Sequence, residues 1–489
     1  MRIGRIFFLI GRIIVVLGLA MILPLACSLI YKDGDTAAFG ISIIICLVCG
    51  VLLVLANRRH RRQTMRRRDS FLFATLVWLS AAFFGALPFL FYGSFPDFAS
   101  CFFESMSGFT TTGASALAQV ESQPHGILLW RSLSHWLGGA GIVLIFVTLI
   151  QRGDDRGEGV VIFKAEYSGG NLTQRVTPRI EDNALDIFFV YTGITLLCML
   201  FLLGGGMSFF DAVNHSMSIA ATGGFSTKTL SIAAFNSAYL EWVTAVFMII
   251  AGINYGLIYM MIVRRRAGGF FKNQELRMYL AVIAVSSVLI ALSLHHSGYY
   301  VQEGFAYSLR QGLFHTASIV TTTGLVATDF DLWPHFARFI LVALMLAGGC
   351  SGSTAGSIKM SRWLVALKSL CAEFTKVYRP NAVRRVYYNN KLVSGDVSCR
   401  MITFFFLYIC LAIIGGLLLT LAGIDWLEAL TGAMSALGNV GPATGSVGPA
   451  GSFAEVSAAA KWILSFLMLV GRLELYTVLV LFAPGIWKK

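Results

Sequence analysis

Long apolar runs alternate with short polar segments along almost the whole chain. Most of these runs are about 20 residues long, the length that a helix needs to cross a bilayer. They predict ten membrane spans, at 6–31, 37–56, 70–93, 127–150, 184–204, 239–263, 276–294, 335–375, 401–421 and 459–483. Small residues interrupt the eighth run, so we expect that span to be broken.

Four short polar segments, each ending in glycine, recur between consecutive spans. In each segment a serine precedes a glycine by six positions: Ser107 and Gly113, Ser218 and Gly224, Ser318 and Gly324, Ser435 and Gly441. Any one of them could be an ordinary loop rich in Ser, Thr and Gly. Four in register instead predict a unit of span, re-entrant segment and span that is used four times.

The fold class that follows is an all-α polytopic membrane protein. Four pseudo-symmetric repeats of span, re-entrant pore helix and span surround one pore, and two further spans precede them. The predicted units are 1–69 with the two N-terminal spans and a basic loop, 70–153 as repeat one, 184–268 as repeat two, 274–377 as repeat three with its broken second span, and 400–489 as repeat four.

Composition and charge agree with this class. The 489 residues are 56% hydrophobic and 13% charged, and the mean hydropathy is +0.73, which is typical of an integral membrane protein. The net charge of +13 does not indicate nucleic-acid binding, because Lys and Arg cluster at the ends of apolar runs. The run Arg58–Arg68, a topology marker or alternatively a contact for a regulatory subunit, predicts that both termini are cytoplasmic. Basic loops at 151–183, which carries Arg152, Lys164, Arg175 and Arg179, and at 376–400 fall on the same side. Arg2, Arg5 and Arg12 flank the first run as in a signal sequence, but no small-residue cleavage site follows, so we expect an uncleaved span.

The re-entrant segments suit a cation pore. Rings of backbone carbonyls and threonine hydroxyls can replace the hydration shell of a cation. A short helix that points its C-terminus at the ion adds a partial negative charge, and glycine allows the backbone angles that turn carbonyls toward an axis. Four copies in one chain would close such a ring without a tetramer.

Other function classes lack their usual motifs. The sequence contains no Walker loop, no GxGxxG after a strand and no carboxylate pair suited to hydrolysis, so we expect neither an enzyme nor an organic cofactor. Cys46 and Cys49 form a CxxC in mid-span, which favours packing over redox or metal chemistry. A carrier of organic solutes would show inverted repeats and ionisable residues at mid-membrane, whereas these four units run in the same orientation.

Five motifs resemble the Trk/Ktr/HKT superfamily of potassium transporters. They are SGFTTTGAS at 107–115, GGFST at 223–227, GGCSGSTAGSIK at 348–359, GNVGP at 438–442 and GRLELY at 471–476. The resemblance covers residue 70 to the end, and the two additional spans are similar to the TrkH/TrkG branch rather than the shorter KtrB branch. It implies uptake of potassium and rubidium across the cytoplasmic (inner) membrane. It also implies a homodimer with one pore per protomer, gated by a cytoplasmic ring of RCK-type, TrkA-like nucleotide-binding subunits.

The resemblance assigns the filter position by position. The implied residues are Thr111, Thr112, Gly113, Thr222, Gly223, Gly224, Thr322, Thr323, Gly324, Asn439, Val440 and Gly441. Gly223, Asn439 and Val440 depart from threonine, which predicts weaker rejection of sodium than a symmetric filter gives. Glycine rather than serine at position 113 favours potassium. The alternative is a sodium-permeable or sodium- or proton-coupled symporter of the same fold.

The interruption of the eighth span is the predicted gate. Its implied residues, together with an arginine in the last span, are Gly348, Gly349, Ser351, Gly352, Ser353, Thr354, Gly356 and Arg472. Each glycine costs a helix about 1 kcal/mol relative to alanine, and irregular backbone at membrane depth is tolerated where it lines a cavity. The alternative is a small-residue packing surface. Lys359 faces either the cavity or the cytoplasm.

Arg472 is costly inside a membrane and should face water or a partner. The family resemblance implies a pore position, and the alternative is a buried pair with Glu474. Glu104, Asp211, Asp425 and Glu428 are predicted near the outer ends of pore helices, where they either stabilise the helix N-terminus or form an acidic vestibule. His215 and His315 are interpreted as packed, hydrogen-bonding residues rather than proton sensors.

Overall fold

The computed structural model describes residues 2–63, 65–141, 180–263, 265, 267–300, 302–381 and 385–487. This part of the chain is almost entirely helical. The helices are α1 (Ile3–Ala20), α2 (Ile22–Tyr31), α3 (Thr36–Ala56), α4 (Arg67–Gly85), α5 (Leu87–Tyr92), α6 (Phe98–Phe109), α7 (His125–Gly139), α8 (Ile180–Gly204), α9 (Phe209–Ala220), α10 (Ala238–Ala251), α11 (Tyr255–Ile262), α12 (Ala267–Lys272), α13 (Gln274–His296), α14 (Gly304–Val320), α15 (His335–Leu344), α16 (Met360–Tyr378), α17 (Gly395–Leu421), α18 (Trp426–Gly438), α19 (Ala458–Arg472) and α20 (Tyr476–Leu479). Strands β1 (Tyr387–Tyr388) and β2 (Lys391–Leu392) form one antiparallel hairpin.

The predicted N-terminal spans and the first span of every repeat are confirmed. Six helices or helix pairs of the described residues are long and apolar enough to cross a membrane. They are Ile3–Tyr31, Thr36–Ala56, Arg68–Tyr92, Asp186–Gly204, Gln274–His296 and Gly395–Leu421. Large side chains on their outer surfaces remain exposed, for example Phe406 at 71% and Leu421 at 79%, as expected of helices that face lipid.

The second spans differ from the prediction in repeats two and four. We expected continuous spans at 239–263 and 459–483, but α10 meets α11 at 99°, and α19 meets the helical turns of 476–482 at 108°. Repeat three breaks between α15 and α16, as predicted. In repeat one, residues 142–150 of the predicted span lie outside the described residues, as do residues 151–179 of the basic loop with Arg152, Lys164, Arg175 and Arg179.

Each of these two breaks has a distinct backbone geometry. Asn254 ends the first interruption by accepting the N–H of Leu257 at 3.2 Å, which caps α11. In the second, Glu474 and Leu475 have φ angles of 53° and 54°, a left-handed conformation that no α-helix continues through. The second spans of repeats two and four therefore change direction close to the pore helices.

The four predicted pore helices are present as α6, α9, α14 and α18. At 12 to 17 residues they are too short to cross a bilayer, and their C-terminal halves are buried. One apolar cluster packs the N-terminal spans against repeats one and four, and a second packs repeats two and three together. The four C-termini consequently converge inside the protein.

Candidate functional site

Each pore helix ends in the same hydrogen-bonded turn. The N–H groups of Thr112, Gly223, Thr323 and Val440 donate over 2.8–2.9 Å to the carbonyl oxygens of Ser107, Ser218, Ser318 and Ser435. The residue before each donor donates in turn to the carbonyl three positions earlier. These two bonds define the Schellman motif at a helix C-terminus. The serine that recurs in the sequence is therefore the residue whose carbonyl closes the turn.

A left-handed residue stands at the centre of every turn. Thr111, Thr222, Thr322 and Asn439 have φ angles of 53–56°. Glycine is the usual residue in this conformation, and a β-branched residue there costs about 1–3 kcal/mol. Three threonines at such positions indicate that their side chains have a use that outweighs the strain.

The four filter glycines close a ring. A Cβ atom added at Gly113 would lie against the carbonyl oxygen of Gly223 in repeat two, far inside van der Waals contact. The same holds between Gly224 and Thr323, between Gly324 and Val440, and between Gly441 and Thr112. The contacts run from repeat one to two, three, four and back to one. The structure thus brings the predicted filter segments of all four repeats together in a closed ring of contacts to the carbonyl oxygens of Gly223, Thr323, Val440 and Thr112.

Repeats one and three each contain a pair of hydrogen-bonded threonine hydroxyls next to the ring. Oγ1 of Thr110 lies 2.8 Å from that of Thr112, and Thr321 and Thr323 repeat the pair at 2.7 Å. This pair helps to fix the side chain of the residue whose carbonyl belongs to the ring.

Two of the three departures from threonine, at Gly223 and Asn439, have structural reasons. The His135 ring occupies the space that a side chain at Gly223 would need, and it stacks on Phe225 with centroids 4.1 Å apart. In repeat four, Asn439 Nδ2 donates to Thr112 Oγ1 and to the carbonyl of Met468, both at 3.0 Å. Repeats one and four are therefore joined by a side chain as well as by the ring.

Glu104 was predicted near the outer end of a pore helix, and this prediction is wrong. The carboxylate lies fully buried in the middle of α6, where Arg131 Nε donates to Oε1 at 2.7 Å. Oε1 also accepts from Ser115 Oγ, and Oε2 accepts from the N–H of Ala116 at 2.8 Å. Sequence analysis missed Arg131, whose guanidinium also stacks on Phe225 at 4.1 Å. The pair holds the extended segment 115–116 that follows the first filter.

Histidines occupy the position of Glu104 in repeats two and three, seven residues before the left-handed residue. His215 Nε2 lies 2.9 Å from Ser226 Oγ, and His315 Nε2 lies 3.0 Å from the carbonyl of Thr328. Both side chains are buried, which agrees with the predicted packing role. Repeat four has Gly432 here, and Thr431 Oγ1 instead contacts Thr444 Oγ1 at 2.8 Å. In each repeat, a residue of the pore helix thus forms a hydrogen bond with the segment that follows the filter.

The remaining three acidic residues do lie at the starts of pore helices. Asp211 accepts from Thr227 Oγ1 at 2.6 Å, Asp425 caps α18 through the N–H of Leu427, and Glu428 accepts from Ser446. These bonds fit the helix-terminus interpretation, and the vestibule stays a prediction.

The irregular loop 348–359 contacts the ends of the pore helices. Thr354 Oγ1 donates to the carbonyl of Ala220 at 3.2 Å, and the N–H of Gly356 donates to Thr322 Oγ1 at 2.7 Å. A Cβ atom at Gly356 would collide with the carbonyl of Gly438. The loop therefore lies against repeats two, three and four directly beside the ring.

Repeat two holds the first half of this loop through its broken span. The N–H of Cys350 donates to the carbonyl of Gly252 at 2.9 Å, and the N–H of Tyr255 donates to the carbonyl of Gly352 at 3.1 Å. Asn254 Nδ2 donates to the carbonyl of Ser351 at 2.5 Å. The break between α10 and α11 thus supplies the backbone partners that an irregular loop requires at this depth.

Arg472 completes the contact with repeat one. It is the last residue of α19, and its Nη1 donates to Thr111 Oγ1 at 3.0 Å and to the carbonyl of Thr354 at 2.9 Å. Its Nη2 donates to the carbonyl of Gly138 at 2.7 Å. Glu474 accepts from Arg362 Nη2 at 2.5 Å, while Lys359 Nζ turns into the loop and donates to the carbonyl of Ala355. Thr354, Gly356 and Arg472 of the predicted gate therefore contact the ends of the pore helices, and the first half of the loop contacts the broken span of repeat two.

Comparison with known proteins gives consistent matches over the full length. The sequence model of the TrkH family, described as a cation transport protein, matches residues 36–489. The Trk system potassium uptake protein TrkH of Halomonas elongata is 34% identical over 100% of both chains, and that of Salmonella typhimurium is 34% identical over 98% of both. The crystal structure of the potassium transporter TrkH from Vibrio parahaemolyticus superimposes with a TM-score of 0.88, at 30% identity over 100% of both chains.

Proposed function

We propose that this chain, which belongs to the TrkH family of cation transport proteins, takes up potassium through the ring of four filter carbonyls. The similar proteins of Halomonas and Salmonella are named potassium uptake proteins. The observation that carries the proposal is the closed set of contacts in which the filter glycine of each repeat faces a carbonyl oxygen of the next. Carbonyl oxygens held in such a ring can replace the water around a partly dehydrated cation.

The pore helices support a cation rather than an anion. Their C-termini converge on the ring, and a helix C-terminus carries about half a negative charge. Rubidium has the same charge as potassium and nearly the same size, so we expect it to pass as well. Three of the twelve filter positions, Gly223, Asn439 and Val440, differ from the threonine that repeat one has at the equivalent position. We therefore expect sodium to compete more than it would in a four-fold symmetric filter.

The loop 348–359 and Arg472 are proposed as the gate. The loop lies against three pore-helix ends, and the guanidinium of Arg472 joins it to Thr111. Backbone without helical hydrogen bonding can move at a lower cost than a packed helix. A shift of the loop away from the ring would open a path for the ion.

The finer assignments rest on the family and on charge. Basic residues at the ends of the spans support an inner-membrane protein with cytoplasmic termini. We further propose a homodimer with one pore per protomer and a cytoplasmic RCK-type, TrkA-like nucleotide-binding partner that acts on the gate. The names of the relatives, which place them in a Trk system, support work with other Trk components. The transported ion is the ligand of the filter, and no organic cofactor takes part in this proposal.

The test is rubidium uptake into liposomes that contain the purified chain, with sodium as competitor. Gly113→Ser places a side chain against the carbonyl of Gly223 and should abolish the preference for rubidium over sodium. Gly93→Ser is the matched control, since Gly93 has a φ of 79° against 80° at Gly113 but open space around its Cβ position. It should leave the preference unchanged.

The outcomes separate the ring from general damage. Loss of preference in Gly113→Ser alone supports the filter. Equal rubidium and sodium flux in the parent would contradict potassium selectivity and favour a sodium-permeable pore. Absence of flux in the parent, with the cytoplasmic partner also supplied, would overturn the transport proposal.

A further inference from the structure

A buried carboxylate outside the filter fastens the two sides of the loop together. Glu275, in the first turn of α13, is 2% exposed. Its Oε1 accepts from the N–H of Ser351 at 2.6 Å and from the N–H of Ser361 at 3.0 Å. The hydroxyl oxygens of the two serines lie 2.5 Å apart. One carboxylate oxygen thus closes the base of the loop, between its first half and the start of α16.

The other oxygen of Glu275 binds the hairpin β1–β2. The hydroxyl of Tyr388 donates to Oε2 at 2.7 Å, and this tyrosine is also 2% exposed. Asn389 and Asn390 form the tip with φ angles of 46° and 62°, as a two-residue hairpin turn of type I′ requires. The sequence therefore contained a readable turn in the basic segment 376–400, which the sequence analysis missed.

The hairpin also contacts the start of α13 and the middle of α16. Asn389 Oδ1 accepts from the N–H of Gln274 at 2.8 Å, and Lys368 Nζ donates to the carbonyl of Tyr387 at 2.7 Å. Beneath it, Val365, Val393 and Met401 form a small apolar cluster with the ring of Tyr388. The hairpin is consequently a defined element on the side that we propose to be cytoplasmic, and not a passive connection.

Its outer surface is basic and accessible. Arg379, Arg385 and Lys391 are exposed around the hairpin, whereas Tyr388 points inward to Glu275. An element of this kind can be moved by contact on one side and transmit the movement to the loop on the other. Glu275 bonds both the hairpin, through Tyr388, and the loop, through Ser351. Among the described hydrogen bonds it is the only side chain that joins the two.

We propose that Glu275 and Tyr388 form a latch that holds the loop beside the filter and couples its position to the hairpin. The proposal rests on the assignment of the loop as the gate. Both are positioning residues, since their contacts are with the loop and hairpin and not with the filter. A carboxylate with three donors is strongly held because each bond is charge-assisted. A contact that lifts the hairpin removes the Tyr388 donor and loosens the base of the loop.

Cys350 provides a readout of the loop that does not depend on transport. It lies in the loop as a free and fully buried cysteine. Its rate of alkylation by N-ethylmaleimide, measured by mass spectrometry, reports how often the loop leaves its packed position. Cys46 in α3 is equally buried and belongs to the N-terminal spans, so its rate reports loosening of the whole protein.

The test variant is Tyr388→Phe, which deletes one hydroxyl and keeps the ring in its cluster. We expect alkylation of Cys350 to become about tenfold faster, the factor that corresponds to about 1.4 kcal/mol, with Cys46 unchanged. Rubidium flux into liposomes without any partner should rise with it. Glu275→Gln should act in the same direction. Tyr387→Phe is the matched control, because its side chain is 46% exposed, and it should match the parent.

Each other outcome has a defined meaning. An unchanged Cys350 rate in Tyr388→Phe, or an equal rise at Cys350 and Cys46, would overturn the latch. Faster alkylation with an unchanged rubidium flux in an active parent would overturn its control of the gate. A selective rise at Cys350 in a protein that carries no rubidium even when the cytoplasmic partner is supplied would preserve the link between hairpin and loop and overturn the proposed transport instead.

Discussion

Arg472 donates a hydrogen bond of 3.0 Å to the hydroxyl oxygen of Thr111, the left-handed residue at the end of the first pore helix. The same nitrogen donates to the carbonyl of Thr354 in the loop. One guanidinium therefore joins the filter of repeat one to the loop that repeat three contributes. It also gives Thr111 a use for its side chain that glycine at this position could not provide.

Replacement of Arg472 tests whether its charge limits conduction. Arg472→Gln keeps a donor near Thr111 and Thr354 but removes a positive charge beside the ring. A fixed positive charge raises the energy of a nearby cation by several kcal/mol at the dielectric of a protein interior. We therefore expect rubidium flux into liposomes to rise about tenfold, which corresponds to about 1.4 kcal/mol.

Arg472→Lys is the matched variant, since it keeps the charge and loses the forked geometry. It should conduct like the parent or more slowly. Equal increases in the glutamine and lysine variants would instead mean that the hydrogen bonds to Thr111 and Thr354 control the flux and that the charge does not.

Closure of the ring between repeats two and three is tested at Gly224. Gly224→Ala would place a Cβ atom against the carbonyl oxygen of Thr323, and the φ of 90° adds strain. We expect rubidium flux to fall to background in a protein that still folds. Gly206→Ala is the control, because Gly206 has a φ of 88° and open space around its Cβ position. Loss of flux in both variants would assign the effect to backbone strain and would remove the argument for the ring.

The buried pair Arg131–Glu104 is predicted to stabilise the first repeat. Arg131→Met leaves the Glu104 carboxylate buried without its cation, a change that costs about 3–5 kcal/mol. Thermal unfolding in detergent, followed by tryptophan fluorescence, should show a clear decrease of the midpoint. Lys376→Met removes one partner of a surface pair whose side chains are 49% and 65% exposed, and its midpoint should stay near that of the parent. Similar midpoints for both variants would contradict a structural role for the buried pair.

Asp33 and His125 predict a dependence on pH outside the spans. Partial burial acts to raise the pKa of the Asp33 carboxyl, but hydrogen bonds from the backbone and ring of His125 outweigh it and place the pKa below its ordinary value. A carboxyl with a lowered folded pKa contributes stability above its unfolded pKa of about 3.9, and this contribution is lost as the pH falls through the folded pKa.

The measurement is the difference in thermal midpoint between the parent and Asp33→Asn. It should be positive at pH 6 and shrink as the pH falls below about 4. The exposed Glu373 supplies the control. The difference in thermal midpoint between the parent and Glu373→Gln should be near zero both at pH 6 and below about pH 4. A difference for Asp33→Asn that is constant over this range would refute the role of its ionised form.

Local patterns explain what the sequence could predict. Spans follow from runs of apolar residues, and the serine and glycine six positions apart mark a Schellman turn. The longer of its two hydrogen bonds joins the carbonyl of that serine to the N–H five positions later. This spacing locates the four turns, whereas the assignment of the filter residue by residue came from the family resemblance. The buried position of Glu104 could not be predicted, because it depends on Arg131 in another helix and on the extended segment at Ala116 beyond the filter.

Distant partners explain what was missed. The apolar run 239–263 reads as one helix, and its break at Gly252 and Asn254 makes sense only when the loop almost 100 residues later takes their hydrogen bonds. Glu275 likewise reads as an ordinary acidic residue at a helix start. Its role depends on Ser351, Ser361 and Tyr388, which lie 76 to 113 residues away.

Gly356 distinguishes the gate from the filter by the sign of its effect. Its Cβ position faces the carbonyl of Gly438 and the side chain of Asn439 at the end of the fourth pore helix. Gly356→Ala would push the loop away from the ring, whereas alanine at Gly224 would push into the ring itself. Since the loop is proposed to obstruct the path, we expect Gly356→Ala to raise rubidium flux while Gly224→Ala abolishes it. Gly395→Ala, at the start of α17 with open space around its Cβ position, should change neither flux nor stability. A fall of flux in Gly356→Ala with normal folding would mean that the loop shapes the conducting path rather than closing it, and the gate would then have to lie elsewhere.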